Sequence, residues 1–192
     1  MTILEEALNS PRCVISVMGE HAGESVQTIF ERKAADIQRI GKTFWLIRSP
    51  KARPDQIREV CKSIPSYGIF VEPASKGGAR PTSDSFAAKE FSIDKKEWLH
   101  LPDGLGPVTG KMDSCAVALV FDSMTTSVHG SLDLWEYADA SDIEKPIKLG
   151  LGCSTICAVQ SNMSGGLEKM KSRYRGVVAV ARLAEPYGVW LR

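Results

Sequence analysis

Long apolar runs are missing from this 192-residue chain. None approaches the ~18 consecutive apolar residues that a spanning helix needs, so no membrane segment is expected. A charge excess is missing too. The formal net charge is +1, so no global field draws the chain to nucleic acid or a lipid surface, and any electrostatic argument has to be local. The opening MTILEEALNSP carries Glu5 and Glu6 where a secretory leader would be basic, which argues against such a leader. No internal repeat, heptad series or low-complexity tract is found. No residue pair has metal-ligand spacing such as HExxH. Cysteine is sparse: Cys13, Cys61, Cys115, Cys153 and Cys157 are odd in number and sit mostly in apolar runs. That pattern fits reduced core thiols of a cytoplasmic protein.

What is present suffices for a folded core. Hydrophobic residues make up 43% and charged residues 24%, too apolar a balance for disorder. Thr2 and Glu5 stand at capping-box spacing before Leu4, Ala7 and Leu8, which predicts a short helix to Asn9 that Pro11 stops. Cys13–Met18 is continuously apolar or small and reads as a buried strand. Ser25 caps a helix whose apolar positions Val26, Ile29, Phe30, Ala34, Ile37 and Ile40 recur at threes and fours before Gly41. TFWLI (43–47) is a second strand. Pro54 starts a helix with Ile57, Val60, Cys61 and Ile64 inward, and YGIFV (67–71) is a third strand.

The expected fold class is therefore α/β. Residues 1–80 form a parallel βαβαβ unit that continues into a strand-rich, mostly antiparallel half, 81–192, of the same compact domain. In that half CAVALVF (115–121), 132–137, 154–159 and 177–183 read as strands. Asp94, Lys95 and Lys96 read as a turn between two short strands, and Leu167–Arg175 as a short helix.

Ligands of open α/β sheets bind beyond the carboxyl ends of the parallel strands. Three parallel strands would gather GEHAGES (19–25), RSPKAR (48–53) and EPASKGGAR (72–80) at one edge. Backbone N–H groups at Gly23 and Ser25, at a helix start, suit an anion. Arg48, Lys51, Arg53, Lys76 and Arg80 would hold phosphate oxygens. Glu20, His21 and Glu72 are candidate acid/base groups among these cations.

GLGPVTGK (104–111) is not a phosphate loop. Its first glycine stands one position too early, Met112 replaces the hydroxyl residue, and a strand follows. LEKMKSRYRG (167–176) interleaves Lys169, Lys171, Arg173 and Arg175 with Tyr174, a pattern that suits a nucleic-acid backbone with a stacked base. Trp98, flanked by charges, is a candidate exposed contact.

The expected function is binding of a phosphate-bearing ligand, nucleotide or nucleic acid, in a basic crevice, with hydrolytic or transfer chemistry if the acid/base group acts. The alternatives are a non-catalytic nucleic-acid-binding module and a structural subunit with a protein partner or a second copy of itself. The residues name no cofactor.

Overall fold

The structure is a computed structural model that describes residues 1–19, 24–47, 52–62, 65–73, 86–106, 108–110, 116–149, 155–161 and 174–192. Among them the chain runs α1 (Ile3–Asn9), β1 (Arg12–Val17), α2 (Val26–Ile40), β2 (Thr43–Ile47), α3 (Pro54–Cys61) and β3 (Tyr67–Val71). The short strands β4 (Phe86–Ala87), β5 (Glu90–Ser92), β6 (Leu99–His100) and β7 (Thr109–Gly110) follow. The long β8 (Ala116–Asp133) leads through a 3-10 turn (Leu134–Glu136) to β9 (Tyr137–Asp139), β10 (Asp142–Pro146), β11 (Thr155–Gln160) and β12 (Tyr174–Leu191).

The helices form for the reasons their sequences give. Thr2 and Glu5 close a capping box on α1, with Thr2 N–H to Glu5 Oε2 at 2.7 Å and Glu5 N–H to Thr2 Oγ1 at 3.2 Å. Ser25 Oγ accepts the Thr28 N–H at 3.1 Å, and Gly41 ends α2 at φ 76, where a side chain would be strained. Pro54 opens α3, where its missing N–H costs nothing.

The fold is mixed α/β with one ten-stranded sheet and a separate two-stranded pair, β4–β7. The large sheet is antiparallel apart from one pair. β1 and β3 run parallel in the register Cys13↔Tyr67 to Val17↔Val71. On their outer sides β11 flanks β1 and β12 flanks β3, both antiparallel. β2 departs from the expected unit. It pairs antiparallel with β8, and β8 and β12 separate it from β3. A strand apolar on both faces fits either position, because both are covered on both sides.

Alternation along the strands divides the interior into three cores. Val14, Phe70 and Cys157 face the helices α2 and α3, together with Trp45 and Phe121. Cys13, Ile15, Ile69 and Ile156 face the other way, toward Ala7 of α1 and toward Leu134, Tyr137 and Ile147. Phe44, Ala118, Val120 and Leu191 pack under the segment that carries Ala88, Leu101, Leu105 and Val108. β8 and β12 contribute to all three: Phe121, Leu132 and Val120 from one, and Ala181, Val177 and Val189 from the other. Both strands outrun the expected apolar stretches. Tyr174 and Arg175, expected to end a helix, instead begin β12.

The β8–β12 ladder is interrupted once with consequence. Leu183 opposes Phe121 and Gly188 opposes Leu119, so residues 184–187 face Val120 alone. This excursion contains a cis Glu185–Pro186 bond and Tyr187 at φ 62. An excursion of this kind re-aims side chains out of the sheet.

Candidate functional site

Two places bring chemistry together. The first is the edge where β1 and β3 end. The parallel register sets Val17 beside Val71, and Met18 N–H donates to the Val71 carbonyl at 2.9 Å. Glu72 N–H then donates to the carbonyl of Gly176 at 2.9 Å. β12 therefore begins where β3 ends, and Ser16↔Thr155 brings the start of β11 to the same edge. Beneath that edge the buried hydroxyls of Ser16 and Thr155 satisfy each other at 2.7 Å.

Of the sequence-derived site residues, Glu72 is at this edge and exposed, with its carboxylate over Gly176. Ser25 stands at the start of α2, its hydroxyl engaged by the Thr28 N–H and hydroxyl. Arg175 is half-buried in β12 opposite Leu132. Tyr174 opposes Asp133 at the head of the same strand. Arg53 is the N-cap residue of α3 and pairs with Asp55 at 3.3 Å. Because β2 pairs with β8, which pairs in turn with β12, β2 runs antiparallel to β1 and β3, and its carboxyl end does not join theirs at this edge. Glu20, His21, Gly23, Arg48, Lys51, Lys76, Arg80, Lys169, Lys171 and Arg173 lie outside the described residues.

The second place is a cavity of about 450 Å³ between α3 and the β12 excursion. Asp55, Arg58, Glu59 and Lys62 line it from the helix. Glu185, Pro186 and Tyr187 line it from the strand, and Ile93 from the turn after β5. The excursion is what puts Tyr187 there, since a regular β12 would keep residues 184–187 in the ladder. The Pro-Tyr-Gly run after a Val-rich strand was the available signal, and it reads as a strand end because proline forfeits a ladder donor.

A third polar cluster is structural. Lys33 is 4% and Asp36 1% exposed. Lys33 Nζ donates to the Phe44 carbonyl at 2.6 Å and stands 4.0 Å from Asp36 Oδ2. Asp36 accepts from Arg39 at 2.9 Å, Thr43 Oγ1 at 3.1 Å and the Gly106 N–H at 2.8 Å. Burial pulls the Lys33 ammonium down to about 8; the Arg32 charge adds to this, and Asp36 only partly opposes it. This cluster ties α2 to β2 and to the turn that sequence spacing had already separated from phosphate loops.

Trp98 is half-buried, with the Arg192 guanidinium 4.2 Å from its ring centre, and Lys95 Nζ sits 3.8 Å from that of Trp190. Trp45 is a core residue, 4.5 Å from Phe70 between ring centres. Among the described residues no group of three or more His, Cys, Asp or Glu is placed to hold a metal ion, and no helix is long and apolar enough to cross a membrane. Compared with protein families, curated proteins and solved structures, the chain matches none.

Proposed function

We infer that the chain binds a phosphate-bearing ligand, a nucleotide or a nucleic acid, beyond the edge where β1 and β3 end. The observation that carries this reading is the hydrogen bond from Glu72 N–H to Gly176 O next to the parallel β1–β3 pair. It makes the segments after β1, after β3 and before β12 neighbours at their roots. Those segments contain Gly23 and Ser25 at a helix start, Lys76 and Arg80, and Lys169, Lys171 and Arg173. Free N–H groups beside clustered cations are the chemistry that phosphate oxygens favour. Arg48, Lys51 and Arg53 follow β2, which pairs with β8, and this reading does not rest on them.

Glu72 is an exposed carboxylate at this edge, and it is the residue on which acid/base chemistry would rest, with Glu20 and His21 as its partners. A nucleic-acid-binding module without turnover is the second reading. It is favoured by the same bond between Glu72 and Gly176, which stand close in sequence to the basic stretches 76–80 and 169–175.

The test is a thermal-shift series with nucleotides and with short single- and double-stranded oligonucleotides at low and high salt. A ligand at about a hundred times its Kd stabilises by roughly 2.7 kcal/mol. Nucleotide binding with turnover that Glu72→Gln removes supports an enzyme. Oligonucleotide binding that falls steeply with salt supports the module, because phosphate contacts release counterions. If no phosphate-bearing ligand shifts the transition at low salt, the reading is wrong.

A further inference from the structure

The cavity between α3 and the β12 excursion carries charges of both signs, and the ion pairs already made decide which of them a ligand can use. Asp55 is held by Arg53 at 3.3 Å and Glu59 by Lys62 at 3.1 Å. Arg58 has no such partner: among the described residues no carboxylate lies within ion-pair distance of it. Its Nη1 instead donates to the Gly188 carbonyl at 3.0 Å, which fixes the guanidinium against the backbone. Four N–H donors remain for an incoming group. Glu185 is likewise without a cation among the described residues. Glu185 and Tyr187 both line the cavity, one on each side of Pro186, and burial, then the Glu185 charge, pushes the Tyr187 phenol up.

The rest of the wall is apolar, from Pro186, the Tyr187 ring and Ile93, the last 45% exposed. Tyr187 is held at φ 62, a conformation that bulky residues rarely adopt. Backbone of this kind clusters at sites that bind or react. Its immediate neighbour Gly188 packs against Ile57 so closely that a Cβ there would stand 3.0 to 3.1 Å from three Ile57 atoms. The excursion is thus seated on α3 beside the cavity.

We propose that this cavity binds a small zwitterion, a free amino acid or dipeptide, with its carboxylate on Arg58, its ammonium on Glu185 and its side chain against Tyr187, Pro186 and Ile93. A polyanion would meet Glu185, the lining carboxylate that no cation holds among the described residues. A simple cation would leave the tethered Arg58 without a counter-charge. A ligand carrying one charge of each sign answers both unpaired groups, and a volume of about 450 Å³ lies within the range of small-molecule sites.

Calorimetric titration of the full chain with leucine, phenylalanine and alanyl-leucine, each beside its amide and its N-acetyl derivative, tests this. At least one zwitterion is expected to bind, and its amide and N-acetyl forms to bind at least about tenfold more weakly, since each loses one charged contact. Glu185→Gln changes an exposed side chain and is expected to abolish discrimination against the N-acetyl form while keeping discrimination against the amide. Arg58→Gln is expected to do the reverse. Should loss of the Gly188 contact unfold that variant, the ligand derivatives and Glu185→Gln decide the matter. The proposal is overturned if no zwitterion binds at millimolar concentration, if the derivatives bind as well as their parents, or if Glu185→Gln leaves discrimination against the N-acetyl form intact.

Discussion

Glu72 and Gly176 are joined twice: the Glu72 N–H donates to the Gly176 carbonyl at 2.9 Å, and the Glu72 carboxylate occupies the space a side chain on Gly176 would need. A Cβ there would stand 2.9 Å from Oε2 and 3.0 Å from Cδ. Because the intruding atoms end an exposed, flexible side chain, Gly176→Ala should cost less than about 1 kcal/mol, as the stiffer unfolded chain offsets part of the contact. It should nonetheless displace the carboxylate. The expected outcome is a thermal midpoint near wild type, with altered affinity or turnover for any ligand of the edge. A large loss of stability would mean that the carboxylate is fixed.

Gly68 presents the opposite case. A Cβ at Gly68 would meet Phe121 Cε1 at 2.8 Å and Cζ at 2.9 Å, and that ring is fully buried against Phe70, their centroids 5.8 Å apart. Overpacking of this sort costs about 1–3 kcal/mol. Gly68→Ala should lower the urea midpoint accordingly, and Phe121→Leu in the same chain should recover part of the loss. Strictly additive effects in the double-mutant cycle would show that the two sites do not touch.

Lys33 predicts an unusual alkaline response. Its folded pKa is lowered to about 8 from the ordinary 10.5 of a lysine, so between those values the unfolded chain binds a proton that the folded chain does not. Stability from this group therefore rises with pH across about 8 to 10.5, by roughly 3 kcal/mol in total, and is flat below pH 8. The measurement is the difference in unfolding free energy between wild type and Lys33→Met. It should move in favour of wild type as pH rises from 8 to 10, and a difference independent of pH would refute the assignment.

The thiols act against this. Cys13, Cys61 and Cys157 are free and buried, and burial raises all three, Cys61 to about 11. The unfolded state loses their protons first as pH climbs past about 9, so the folded state is penalised there. These cysteines should resist iodoacetamide at pH 8 in the native protein and react once denaturant is added, which peptide mass mapping would reveal. Rapid native labelling of Cys157 would contradict its burial.

Much of this architecture was legible in the residues. Caps, prolines and three-four spacing located α1, α2 and α3, because those signals are local. Strand partners were not legible. TFWLI is apolar on both faces and so says only that it is covered, which is equally true beside β8. β8 runs past Phe121 through DSMTTSVHGSLD because β12 supplies its hydrogen bonds, a long-range cause that no window of sequence contains. Lys33 and Asp36 were hidden by the rule that charges face water, although both sit on the inward stripe with Ile29, Phe30 and Ile37. Of the candidate site, Glu72 and the start of α2 followed from strand ends and caps. Arg58, Glu185 and Tyr187 did not, since an excursion inside a strand looks like the strand's end.

β12 also sets an order for biosynthesis. It is paired with β3, β5 and β8, and all three cores draw residues from it. Until residues 174–191 have cleared the ribosome, β3 and β8 present unpaired backbone edges that invite other strands. Early elements are thus left waiting on a later one, and the nascent chain stays open to mispairing until β12 has emerged.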